Sequence, residues 1–160
     1  LDVINEAAMA DRVHFLNIGS QLELAATYRY FARRRSVFAL TSFYEPFGLA
    51  PIEAAATGLA PVVTQNGGPS EIFEDGSGVL VDPFSADHIA EGLLDGLSRR
   101  ATLAAAAFRR VQETYTWRQT AEGYLSAIDT AHSDDVRQSI LLPEKLDDTG
   151  RIQGYLGALD

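Results

Sequence analysis

Two carboxylates, Glu45 and Glu53, stand eight positions apart in the stretch Glu-Pro-Phe-Gly-Leu-Ala-Pro-Ile-Glu. A Gly-rich loop, Gln65-Asn66-Gly67-Gly68-Pro69-Ser70-Glu71, follows soon after. In the first stretch Pro46 and Gly48 make a turn. Pro51 then sits in the first turn of a helix predicted over 48–57, where its missing N–H costs nothing. The amides of Phe47, Gly48, Leu49 and Ala50 are therefore donors at a helix N-terminus, an end that favours phosphate, carboxylate or sugar oxygens. Glu53 follows Leu49 by four positions and shares its helical face. A carboxylate there suits the rim of a cleft, where it can accept hydrogen bonds from a diol. In the second loop Gly67 and Gly68 permit positive φ and close backbone approach, and Ser70 or Glu71 opens the next helical turn.

Taken singly, each feature also has a plainer use. Glu45 can simply favour the positive end of the helix dipole, an effect of a few tenths of a kcal/mol. Glu53 can be a solvated helix residue, as most Glu are. A Gly-Gly-Pro run can be no more than a strand-to-helix turn.

Other chemistries are excluded or unsupported. The chain has no cysteine, which removes disulfides, thiolate metal sites and thiol nucleophiles. His14, His88 and His132 are scattered, with no pair at metal-ligand spacing, and no metal site is expected. Thirteen Lys and Arg against 22 Asp and Glu give a net charge of −9, which argues against a general nucleic-acid or acidic-membrane surface. No apolar run approaches the roughly 18–20 residues of a membrane span, and the opening residues are not a signal peptide, so a cytoplasmic setting is expected.

The elements that must carry these loops alternate. Short β-branched runs at 12–16, 36–40, 60–64 and 78–81 read as strands, separated by helices over 21–35, 48–57 and 85–98. The predicted faces are Leu22, Ala25, Ala26, Arg29 and Ala32 on the first helix, and Ile89, Leu93, Leu94 and Leu97 on the third. Helices near 101–114 and 116–131 follow. This is an α/β pattern: a Rossmann-like parallel sheet with helices on both faces. In such sheets ligands bind beyond the carboxyl ends of the strands, where the loops after Leu40 and Thr64 lie. The 46% hydrophobic content over 160 residues supports one real core.

Together the two loops resemble the retaining GT-B glycosyltransferases that include sucrose synthase, sucrose-phosphate synthase and glycogen synthase. The wording Glu-Pro-Phe-Gly and Asn-Gly-Gly-Pro is most similar to the sucrose-phosphate synthase branch. The likeness is close from about Val13 to Val81 and weaker through Tyr115-Thr116-Trp117. It implies a carboxyl-terminal, nucleotide-sugar-binding domain of a GT-B fold, transferring a glycosyl unit with retention to a sugar or sugar phosphate. The nucleotide-sugar would be a substrate, with no cofactor. The resemblance places Glu45 beside the donor sugar, as an organiser of its developing positive charge. It assigns the amides of Phe47, Gly48 and Leu49 to the sugar hydroxyls, and those of Leu49 and Ala50 to the diphosphate. Glu53 would hold the ribose hydroxyls, Asn66, Gly67 and Gly68 would complete the donor site, and Asn17 to Leu22 would pass near the base.

The same resemblance puts an Arg and a Lys that clamp the diphosphate before Leu1, and an acceptor-binding amino-terminal domain before that. Residues 1–160 alone are then expected to be inactive. Arg33, Arg34 and Arg35 end a helix on the opposite edge and read as a basic helix C-terminus favoured by the dipole. Two other classes fit the architecture: a nucleotide-sugar 2-epimerase, which the spacing of the two carboxylates disfavours, and a non-catalytic nucleotide-sugar or protein-binding domain. The expected organisation is a domain over 1–132 and a helical extension over 133–160. In that extension Ser133 is an N-cap, Pro143 limits a helix, and Ile152, Tyr155, Leu156 and Leu159 form an apolar stripe.

Overall fold

The computed structural model describes residues 2–132. The features expected over 133–160 lie outside them. A short helix α1 (Asp2–Glu6) precedes α2 (Gln21–Arg33), β1 (Val37–Leu40), α3 (Leu49–Ala56), β2 (Ala60–Thr64), α4 (Gly68–Ile72) and β3 (Val79–Val81). Then come α5 (Ala86–Ser98), α6 (Arg100–Thr114) and α7 (Trp117–His132). The chain divides into a compact unit that runs up to Thr116 and a second unit that begins at Trp117.

The sheet is parallel in the order β1-β2-β3, each strand reached from the last through a helix. Ala60 to Val63 pair with Val37 to Leu40, and Val62 to Thr64 pair with Val79 to Val81. Pro61 is tolerated in this central strand because the β3 pairing starts only at Val62, one residue beyond it. All five residues of β2 are buried, as a strand covered on both faces requires.

Two different devices cover the two faces. On one, Ile52 and Ala55 of α3 and Ala107 and Val111 of α6 enclose Val63, Ile72 and Phe73. The Ala54-Ala55 pair is fully buried and lets α3 lie close on the sheet. On the other face α5 meets Val62, Val79 and Val81 through Gly92 and Gly96, not through its leucines. Leu94 and Leu97 are exposed, so the predicted apolar face of α5 is only half right: without side chains, the glycines let the helix axis approach closer than leucines would. The α2 face is also rotated from expectation. Leu24, Ala25 and Tyr28 turn inward, Tyr28 edge-on to Phe38 with ring centroids 5.7 Å apart, while Leu22 stays exposed.

The strand expected over 12–16 is not formed. The run Arg-Val-His-Phe-Leu has no hydrogen-bonded partner strand among the described residues, and Phe15 and Leu16 are exposed. A strand exists only where a neighbour takes its amides and carbonyls, and β-propensity does not supply that neighbour. The remaining three strands, the helices between them and the Ser85 N-cap fall where expected. The Ser85 hydroxyl accepts the His88 amide at 3.2 Å. The α/β class with helices on both faces is as the sequence implied.

Candidate functional site

The two loops singled out by sequence lie side by side at the carboxyl ends of β1 and β2 and are joined by backbone. Glu45 and Gly67 form an isolated parallel bridge. The Glu45 amide donates to the Asn66 carbonyl at 3.1 Å, and the Gly68 amide donates to the Glu45 carbonyl at 2.9 Å. Gly67 has φ +96° and Gly48 has φ +106°, both in the region that glycine alone enters cheaply. A Cβ on Gly67 would overlap the Glu45 carbonyl, and one on Gly68 would overlap that of Phe47. The glycines are thus what lets one loop lie flat on the other.

Asn66 adds a second tie. Its side-chain Nδ2 donates to the Phe43 carbonyl at 3.0 Å, while its own amide donates to the Oγ1 of the buried Thr64 at 3.2 Å. Asn66 therefore serves the site by holding both loops in place. Ser70 closes the first turn of α4 by donating to the Gly67 carbonyl at 2.7 Å. The far end of α4 is held by Arg110, whose Nε donates to the Ile72 carbonyl at 3.1 Å.

The Phe47 amide donates to Glu45 Oε1 at 3.4 Å, a long bond that turns the carboxylate towards the start of α3. Gly48 is the N-cap of α3 with no side-chain cap, which leaves the N-terminal end at Leu49 and Ala50 open to an acceptor. Glu45 is half-buried, and Phe47 and Leu49 are exposed at the rim.

Glu53 faces elsewhere. It lines a cleft of about 210 Å³ between α2 and α3, with Gln21, Leu24 and Tyr28 on the opposite wall. Burial, and secondarily the Glu53 charge, push the Tyr28 phenol above its ordinary 10.0, so Tyr28 is neutral and able to donate. The entry to this wall is rigid. Ser20 caps α2 by accepting the Glu23 amide at 3.2 Å, and Glu23 reaches back to the Gly19 amide at 2.8 Å. Sequence reasoning singled out Glu53 and the 17–22 segment but not Tyr28, which reads as an ordinary helix aromatic.

Larger openings lie away from these loops. One of about 340 Å³ is lined by Arg35, Ser36, Gly58 and Arg100 at the amino ends of β1 and β2. It has no part in the loop geometry. Arg34 packs its guanidinium over Tyr30 at 4.7 Å on that same side, consistent with a basic helix end. Among the described residues no three His, Asp or Glu side chains come together as a metal would need, and no helix is long and apolar enough to cross a membrane.

This pairing of loops occurs in a known setting, because residues 2–110 match the family model of glycosyl transferases group 1. The chain belongs to that family. It is 41% identical over 140 residues to a probable sucrose-phosphate synthase of Thermosipho melanesiensis, covering 87% of this chain and 31% of that protein. It is 38% identical to a sucrose synthase of Denitrovibrio acetiphilus, covering 72% of this chain and 16% of that one. Among solved structures it superposes on sucrose-phosphate synthase from Thermosynechococcus elongatus with a TM-score of 0.68 at 30% identity, over 82% of this chain and 34% of that one. The C-terminal domain of a group 1 glycosyl transferase from Francisella tularensis shares the fold, with a TM-score of 0.58. The chain spans under a third of the length of these curated relatives. The GT-B architecture implied by the two loops is the one these neighbours have.

Proposed function

We propose that this chain is the donor-binding part of a retaining glycosyltransferase that moves a glycosyl unit from a nucleotide-sugar to a sugar or sugar phosphate, in the manner of sucrose-phosphate synthase. The observation that carries this is the Glu45–Gly67 bridge: it sets a carboxylate, a Gly-rich loop and the open N-terminus of α3 on one rim. Glu53 meanwhile faces a separate cleft beside Tyr28. A sugar diphosphate at the first and a ribose at the second form one continuous ligand.

In this reading Leu49 and Ala50 amides, with the N-terminal dipole of α3, stabilise the departing diphosphate as its charge grows. Glu45 releases the Phe47 amide when donor arrives, so both groups turn to the sugar. Its carboxylate then stabilises the positive charge developing at the anomeric carbon. Gly67 and Gly68 keep backbone, not side chains, against the sugar, and Asn66 holds that backbone still. Glu53 accepts hydrogen bonds from the two ribose hydroxyls. The nucleotide-sugar is consumed as substrate, no cofactor or metal takes part, and the reaction belongs in the cytoplasm.

The test is to assay the full-length protein against a panel of UDP-, ADP- and GDP-sugars with sugars and sugar phosphates as acceptors. Glu53→Ala is expected to weaken nucleotide binding by about 1–3 kcal/mol, seen mainly in donor KM, as loss of hydrogen bonds to a bound diol predicts. Glu45→Ala is expected to act mainly on kcat. Unchanged nucleotide affinity by calorimetry in the Glu53 variant would remove the ribose assignment. Epimerised nucleotide-sugar, or binding without turnover, would replace the transfer reading.

A further inference from the structure

A third loop stands beside the two already described. It follows β3 and runs Asp82-Pro83-Phe84-Ser85 into α5. Hydrogen bonds fix it at both ends: the Asp82 amide donates to His88 Nδ1 at 3.0 Å, and the Phe84 amide donates to Asp82 Oδ1 at 2.9 Å. His88 Nδ1 is the acceptor that ties the start of the loop to the first turn of α5. Ser85, the N-cap of α5, completes a short rigid post.

The side chain at the top of that post is spent on the first loop. Phe84 stacks on Phe43 with centroids 4.9 Å apart and planes 11° from parallel, although both rings are largely exposed, at 72% and 67%. Phe43 is two residues before Glu45, and its carbonyl is the one held by Asn66. The segment that carries Glu45 is therefore gripped on its side chain by the β3 loop and on its backbone by the β2 loop. Neither ring contributes to the buried core, so core packing does not account for the pair.

We propose that Phe84 is a positioning residue: by stacking on Phe43 it holds the Glu45 loop in register with Gly67, and thereby governs turnover and not nucleotide affinity. This rests on the reading of Glu45 as the donor-organising carboxylate. The nucleoside cleft around Glu53 and Tyr28 lies on α2 and α3 and makes no use of the stack.

The experiment pairs two readouts on the full-length protein. The first is amide hydrogen exchange. In Phe84→Ala, exchange at Glu45 and Gly68, whose amides close the bridge, should speed up by roughly tenfold or more, as expected when a local tie is cut, while Val63 in β2 stays unchanged. The second is kinetics: kcat should fall, nucleotide Kd should stay at the wild-type value, and Phe84→Tyr should restore both exchange and kcat. Since Phe84 is mostly solvent-exposed, its truncation leaves the core intact. Wild-type exchange at Glu45 and Gly68 in Phe84→Ala, or a loss of nucleotide affinity as large as the loss of kcat, overturns the proposal. If the wild-type protein transfers no sugar, the transfer reading falls, and the exchange rates alone still decide whether Phe84 holds the loop.

Discussion

Glu45 and Gly67 face each other across a parallel bridge, and the space between them exists only because residue 67 has no Cβ. A methyl group there would meet the Glu45 carbonyl and approach Tyr44 Cε2 to 3.2 Å. Gly58 is a natural comparison: its φ is +90°, close to the +96° of Gly67, but nothing lies within 4 Å of its would-be Cβ. Gly58→Ala should therefore lose only the backbone strain, about 1–2 kcal/mol. Gly67→Ala should lose more in urea unfolding and should also weaken donor binding, because the loops are forced apart. Equal stabilities for the two variants would show that the bridge yields without cost.

Tyr28 reports on Glu53 without any ligand. Burial first, and the Glu53 charge second, hold its phenol above 10.0. Glu53→Gln removes the second cause and leaves the first. The Tyr28 titration followed by ring-carbon NMR should therefore move down in that variant yet stay above 10.0. The sign for stability follows: a raised folded value favours the neutral phenol, so this contribution is present below the ordinary value and is lost as pH rises through the folded one. An unchanged titration in Glu53→Gln would mean that the carboxylate points away from the α2–α3 cleft.

How far the sequence reaches is clear from these residues. β2 is legible because its run Ala-Pro-Val-Val-Thr is apolar or β-branched throughout, without the alternation of a half-exposed strand, and Glu45, Glu53 and the glycines stand out as candidates by their spacing. The Phe43–Phe84 stack does not, since 41 positions separate the rings and nothing local marks them as partners. The failure of residues 12–16 has the same origin: strand propensity is local, but a strand needs a distant neighbour. The α5 face is hidden from apolar periodicity, which ranks leucine above glycine, whereas the close helix-to-sheet approach at Gly92 and Gly96 selects the reverse.

The close approach of α5 at Gly92 and Gly96 gives a third prediction. In Gly96→Ala the new methyl would lie 2.5 Å from Val62 Cγ2, and in Gly92→Ala it would overlap Val81 Cγ1. Overpacking of this kind costs about 1–3 kcal/mol, more than the ~1 kcal/mol that Ala gains over Gly in a helix. Both variants should lower the urea midpoint. Leu94→Ser and Leu97→Ser, on exposed positions of the same helix, should change it little. A stabilised Gly92 or Gly96 variant would show that α5 can lift from the sheet freely.

The last prediction concerns the support beneath the Gly-rich loop. Arg110 donates to the Ile72 carbonyl at the end of α4 and lies 3.9 Å from Asp75 and 3.5 Å from Glu74. Burial alone would raise the Asp75 carboxyl, but the Ser77 amide, which donates to Asp75 Oδ1 at 3.0 Å, and the Arg110 charge outweigh it and hold it below its ordinary 3.8. A depressed folded value means that the stabilising contribution is complete above the unfolded value and is lost as pH falls through the folded one. Asp75 is 42% exposed along its side chain, so water screens the pair, and it contributes about 1 kcal/mol or less. Arg110→Gln should therefore be less stable than wild type at neutral pH. The gap should narrow below pH 3.8, as Asp75 takes up its proton in both proteins. Part of the gap should persist, because the bond to the Ile72 carbonyl does not titrate. Urea unfolding of the two proteins at several pH values measures this directly, and a gap that does not change with pH would assign the whole effect of Arg110 to the carbonyl.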